Sequence, residues 1–99
     1  MQYLVYILFS AKLDRFYIGY TSNIEQRIEF HKNAEPHKFT SNAKDWELYL
    51  KMECDTKHQA LGVEQHIKRM KSKTYIRNLK RYPEMRSKLL IKYDQGSPR

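Results

Sequence analysis

The chain has 99 residues, room for one domain and one core, because a chain this short buries only about two thirds of its surface. An apolar fraction of 40%, with 13% aromatic, supports a packed interior, and no apolar run nears the roughly 18 residues that cross a bilayer, which excludes a membrane-spanning helix. The net charge of +8 is lopsided: residues 1–56 hold seven Lys/Arg against eight Asp/Glu and residues 57–99 twelve against three, so the halves carry −1 and +9 and a polyanion would lie on the second.

Cys54 stands alone, which excludes an intramolecular disulfide and a zinc site built on cysteine pairs. It agrees with a reducing compartment, so a cytoplasmic location is expected. Met1–Phe9 is apolar but lacks a basic start and a small-residue cleavage site, and reads as a buried strand instead of a signal peptide.

In chain order, residues 3–9 form a continuous aromatic and branched run, the pattern of a central strand covered on both faces. A short polar stretch, Ser10–Asp14, leads to a second such run, Arg15–Tyr20, and the two should pair as an antiparallel hairpin. With Ser10 opposite Arg15, Leu8 faces Tyr17 and Tyr6 faces Gly19; period-two alternation then puts Tyr6 and Tyr17 on one side, with open space at Gly19.

Ser22 with Glu25 reads as a capping box for a helix over about 23–32, in which Ile24 and Ile28 face the core and Arg27 and His31 make a second stripe four residues apart. Residues 33–45 are a polar connection, long for a compact domain, in which Phe39-Thr40 could touch a substrate. From Trp46 to Cys54 strict alternation predicts a third strand at an edge, with Trp46, Leu48, Leu50, Met52 and Cys54 pointing one way.

Thr56 and Gln59 make a capping box for a helix over about 57–71, whose apolar stripe is Ala60, Val63, Ile67 and Met70 with Glu64 at its border. Gly62 in its interior hints at a close approach by another backbone. Short helices over about 74–81 and 84–92 follow, split at Tyr82-Pro83, and residues 94–99 read as a disordered tail. The elements predict an α+β fold, a three-stranded antiparallel sheet flanked by helices in the order β-β-α-β-α-α-α.

Taken singly, each polar residue has a commoner structural role: a tyrosine in a core, an arginine or glutamate on a helix surface, a satisfied histidine. Together, Val5-Tyr6-Ile7, Tyr17-Ile18-Gly19, Arg27, His31 and Glu64 followed by Ile67-Lys68 resemble the GIY-YIG nuclease superfamily, and especially its small stand-alone bacterial branch. The resemblance covers roughly residues 3–80 and makes residues 1–93 one nuclease-like domain. Two positions depart from the pattern: Val5 stands where the first motif has glycine, and Asn78 is a loose match for an asparagine many relatives carry after the glutamate.

The resemblance implies a metal-dependent endonuclease cutting DNA, with Tyr6, Tyr17, Arg27, His31 and Glu64 catalytic and Gly19 the motif glycine. Glu64 would hold one Mg²⁺ or Mn²⁺, and Arg27 the non-bridging phosphate oxygens. Tyr6 or Tyr17 would be the general base, although a phenol of pKa about 10 is only about 0.1% ionised at pH 7 and needs a lowering influence such as His31 and cationic surroundings. Lys68, Arg69, Lys71, Lys73, Arg77, Lys80 and Arg81 would hold the DNA backbone, which positions a duplex but does not read its bases. Thr40 and Asn78 are minor candidates. Cutting is expected to be structure-directed or weakly selective, in DNA repair or recombination, with branched or damaged duplex as substrate, structured RNA as a second candidate, and a protein partner as a source of specificity. No small-molecule cofactor and no membrane partner is expected. The alternatives are a non-catalytic nucleic-acid-binding module with the same fold and a protein-interaction subunit with a basic face.

Overall fold

A computed structural model describes residues 2–32 and 43–94, with only the backbone at 30–32. The elements are β1 (Tyr3–Ser10), β2 (Arg15–Thr21), α1 (Ile24–Lys32), β3 (Glu47–Cys54), α2 (Lys57–Met70), α3 (Lys73–Arg81) and α4 (Pro83–Lys92). The strands form one antiparallel sheet in the order β2-β1-β3, so the fold is the expected α+β arrangement with β1 in the centre. No helix among the described residues is long and apolar enough to cross a membrane. The expected tail lies outside the described residues from 95 onward.

Because β1 is covered on both faces, four consecutive residues, Val5 to Leu8, are each at most 1% exposed. Alternation divides them between two core clusters, one on each face of the sheet, where a single core was expected. Val5 and Ile7 join Met52, Cys54, Ala60, Val63, Ile67, Ile76, Leu79 and Leu89, under α2, α3 and α4. Tyr6 and Leu8 join Trp46 on the other face, with Tyr17, Leu13 and the α1 residues Ile24 and Ile28 against them.

The hairpin has the register that its loop length implies: Ser10 opposite Arg15, Leu8 opposite Tyr17, Tyr6 opposite Gly19. Its turn is tied down from two distant places. The buried Ser10 hydroxyl donates to Asp45 Oδ1 at 2.6 Å and accepts from Leu13 N at 3.2 Å, while Asp45 Oδ2 accepts from Lys12 N at 2.9 Å. Lys73 Nζ donates to the carbonyl of Asp14 at 2.6 Å, next to an Asp14 backbone at φ 51°, where aspartate is among the residues that tolerate a left-handed turn.

Strict alternation along β3 does not hold. Ile7 pairs with Leu50 but Leu8 with Leu48, so Tyr49 is an extra residue in a bulge, and side chains on either side of it point to opposite faces. Trp46 is therefore buried with Tyr6, whereas Met52 and Cys54 are buried with Val5. The bulge lets β3 and the residue just before it supply both cores.

The α1 cap also differs from expectation. Asn23, not Ser22, begins the helix: its Oδ1 accepts from Gln26 N at 3.1 Å and its carbonyl from Arg27 N at 3.2 Å, while Thr21 Oγ1 accepts from Asn23 N at 3.0 Å. In α2, Thr56 Oγ1 accepts from Gln59 N at 3.1 Å as expected. The Gln59 amide reaches back to Asp55 N at 2.7 Å and forward to the carbonyl of Leu90 at 2.8 Å, pinning α4 to the start of α2. Gly62 accommodates a side chain where a backbone was expected: a Cβ there would lie 2.9 Å from Cγ of the Tyr93 ring.

Candidate active site

The hairpin register sets the first pair of site residues. Tyr6 crosses over Gly19, where a Cβ would stand 2.6 Å from the Tyr6 hydroxyl and 2.7 Å from Cζ, so only glycine leaves the phenol in place. Tyr17 lies alongside, its ring centroid 6.3 Å from that of Tyr6 and tilted by 28°. The Thr21–Asn23 hydrogen bonds fix where α1 starts and so bring Arg27, one turn in, to the end of β2.

Glu64 comes from α2, which packs on the Val5 face, while the phenols project from the opposite face. They meet around β2, an edge strand among the described residues: a cavity of about 400 Å³ draws its walls from β1, β2, α1 and α2. Tyr6, Tyr17, Gly19, Arg27 and Glu64 all line it. So do Tyr3, Tyr20, Thr21, Ser22 and Lys57, which the sequence reading passed over. A signal for Lys57 existed, since it precedes Glu64 by seven residues and two helical turns return to the same side. The backbone of His31 lies on α1, but its side chain, like all of Thr40, is outside the described residues.

Both phenols hold their protons more tightly than a free tyrosine. For Tyr6 burial is the main cause, the neighbouring Tyr17 and Glu64 reinforce it, and Arg27 works against it. For Tyr17 burial again leads, opposed by Arg27 and aided by Glu64. The expected lowering by cationic surroundings is thus outweighed, since one exposed guanidinium does not offset loss of water around a phenolate.

The Glu64 side chain is 12% exposed and its carboxylate lies 3.7 Å from Lys68 Nζ, one helical turn on. Lys68 is half in solvent, so this pair contributes no more than about 0.3–0.5 kcal/mol and leaves the carboxylate available. Among the described residues no cluster of three or more His, Cys, Asp or Glu occurs, and Glu64 is the one carboxylate lining the cavity. That donor set does not suit zinc, which takes three or four protein ligands, but it fits Mg²⁺, which keeps several waters and accepts one or two carboxylates plus phosphate oxygens.

None of the seven basic residues expected to hold DNA lines this cavity itself. Lys68 borders it through Glu64. Lys73 is engaged with the hairpin turn, Lys80 Nζ sits 4.4 Å over the Tyr49 ring, and the Arg81 guanidinium is 5.5 Å from the ring of Tyr82. Arg69 donates to the Tyr93 hydroxyl at 3.4 Å, Lys71 flanks Ser72 beside Arg15 and Phe16, and Arg77 is exposed on α3. Asn78 is half-buried, away from the cavity lining, and its carbonyl accepts from Tyr82 N at 2.8 Å.

The sequence profile of the GIY-YIG catalytic domain matches residues 2–80. Among solved structures, the chain is similar to a UPF0213 protein from Bacillus halodurans determined by solution NMR, at 26% identity and a TM-score of 0.49, with 80% of this chain and 82% of that one covered. No curated protein matches it.

Proposed function

Starting from the fact that the chain belongs to the GIY-YIG family of nucleases, we propose that it is a divalent-metal-dependent endonuclease that hydrolyses DNA phosphodiesters in the cavity of Tyr6, Tyr17, Arg27 and Glu64. The observation that carries this reading is the convergence of those four side chains, drawn from four elements and both faces of the sheet, on one opening.

The reaction adds water to phosphorus and releases the 3′ oxygen, leaving 3′-hydroxyl and 5′-phosphate ends. Glu64 would hold the single ion, Mg²⁺ or Mn²⁺, which when bound acidifies water and neutralises phosphate charge. Arg27 offers a planar fork of donors to the non-bridging oxygens. Tyr6 and Tyr17, protonated at pH 7, present a donor and an acceptor each, and hold the attacking water between them. Either phenol serves as general base only in the charged field of the loaded site, because burial otherwise keeps its proton on. Arg27, Lys57 and Lys68 contact phosphates and carry no base information, so cutting is directed by DNA structure or only weakly by sequence, as repair and recombination require.

The test is cutting of branched, flapped and nicked DNA with Mg²⁺ or Mn²⁺ by the parent protein, Arg27→Ala and Glu64→Ala. Losing one transition-state charge contact is worth roughly 3–4 kcal/mol, so each variant should be slower by about 10² to 10³. Equal cutting by all three would assign the activity to a contaminant.

The raised phenols also favour a second reading, a nucleic-acid-binding module with this fold and no turnover. Salt-sensitive binding is common to both readings, so metal-dependent product separates them.

A further inference from the structure

We infer that the chain carries a second ligand site, a cleft between α2, α3 and α4 that takes one nucleotide unit of a single-stranded nucleic acid, the base against tyrosine and histidine rings and the phosphate on lysines. It rests on the proposed function only in taking the ligand to be nucleic acid.

The cleft follows from how α2 is used. Ala60, Val63 and Ile67 are its buried stripe. At 100° per residue, Lys57 and Glu64 fall on one flank of that stripe, toward the active-site cavity, and Gly62, His66 and Arg69 fall on the other, roughly 160° round the helix from Glu64. The family profile ends at residue 80, so α4 and Tyr93, which close over this second flank, lie beyond the shared catalytic domain. The Tyr93 ring rests on Gly62, and its hydroxyl meets His66 Nδ1 at 3.0 Å and accepts from Arg69 Nη2 at 3.4 Å.

Beside this anchor is a cavity of about 230 Å³ lined by His66, Tyr75, Met85, Lys88, Leu89 and Lys92. The rings of His66 and Tyr75 stand 6.1 Å apart at 39°, Met85 and Leu89 complete an apolar floor, and no carboxylate lines it. Burial, with Lys92 and Arg69 nearby, keeps His66 neutral, so its ring is a stacking surface and the positive charge sits on the lysines.

A ligand that satisfies an aromatic and apolar floor with a cationic border is a flat ring joined to a phosphate. The space holds one base-sized ring and is smaller than the roughly 300–1,000 Å³ of sites that swallow whole cofactors, so sugar and phosphate would remain outside, near Lys88 and Lys92. Aromatic platforms beside basic side chains are how single strands are held without reading their sequence. A strand leaving the active-site cavity would reach the cleft by passing one helix, about 10–12 Å across with its side chains.

The test uses Glu64→Ala protein, so that no cutting intrudes, titrated separately with a short oligothymidylate, thymidine monophosphate and inorganic phosphate while NMR follows the rings of His66 and Tyr75. Both should shift with the oligothymidylate. Tyr75→Leu should weaken its binding by about 10-fold or more. Lys88→Ala/Lys92→Ala should lower the slope of log K against log salt by about 0.7, the value for the one phosphate that the two lysines share. Equal binding of thymidine monophosphate would sustain the cleft and name a free nucleotide as its occupant. Equal binding of inorganic phosphate, or shifts at Tyr6 and Tyr17 with none at His66 and Tyr75, would overturn it. Failure of the parent protein to cut DNA would leave these shifts untouched, so the two readings fail separately.

Discussion

The two faces of the sheet are built differently. On the Val5 face ten buried residues lie under three helices, and the polar groups there serve packing: Gln59 ties two helices together and Cys54 is a buried thiol. On the Tyr6 face three buried residues lie under one helix among the described residues, and one of them is a phenol facing an open cavity. Among the described residues the larger cluster is on the Val5 side, here the thick side, and it offsets what the Tyr6 side spends on a buried hydroxyl and a space beside it, both of which cost folding energy. Substitutions on the two sides should therefore separate stability from chemistry.

The largest separation is expected at the glycine and the leucine that typify each side. Gly19→Ala places a methyl group where the Tyr6 phenol now lies, and a shift of about 1 Å in a reacting geometry can cost about 10²-fold, so cleavage should collapse while most of the thick core remains. Leu79→Ala, fully buried on the Val5 face, should cost about 2–5 kcal/mol in denaturant unfolding, yet leave the rate of the folded fraction close to that of the parent. If Leu79→Ala slowed cleavage as much as Gly19→Ala, the faces would not be independent.

A smaller effect is expected at Gln59. Gln59→Ala leaves the Asp55 amide and the Leu90 carbonyl without their partner and should cost about 1–3 kcal/mol, with protection from hydrogen exchange lost first along α4. Uniform loss across the molecule would show that α4 is not a separate unit.

The smallest effect is an alkaline one that dates the two faces. Burial, aided by Asp55, raises the Cys54 thiol from 9.0 to about 11, and burial raises Tyr6 above its ordinary 10.0. A raised folded pKa means that above the unfolded value only the unfolded chain gives up its proton, so stability is full below that value and falls as pH rises toward the folded one. The decline should begin above pH 9.0 from Cys54 and steepen above 10.0 as the phenols join it. In Cys54→Ala the first stage should vanish from pH-dependent melts; its persistence would place the titrating group elsewhere.

What the sequence made legible was local and periodic. The hairpin register follows from the length of one turn, and with it the shared side of Tyr6 and Tyr17, although the space expected at Gly19 is filled by the Tyr6 ring itself. What stayed hidden depends on contacts between distant segments. The Tyr49 bulge leaves no mark in an alternating pattern, and the choice of Asn23 over Ser22 as cap rests on backbone geometry among neighbours of equal propensity. Gly62 looked like a backbone contact because its true neighbour, the Tyr93 ring, arrives from the end of α4. A count of charges likewise could not show that Lys73 touches the hairpin turn and Lys80 a tyrosine ring, whereas Lys57 borders the cavity.

The most direct test of the cavity as a metal-dependent cutting site is to soak crystals in Mn²⁺ and locate the ion by its anomalous scattering. One ion on the Glu64 carboxylate, facing both phenols and absent from Glu64→Ala crystals, is the predicted result. Metal-dependent cleavage by a protein whose manganese lies elsewhere would contradict it.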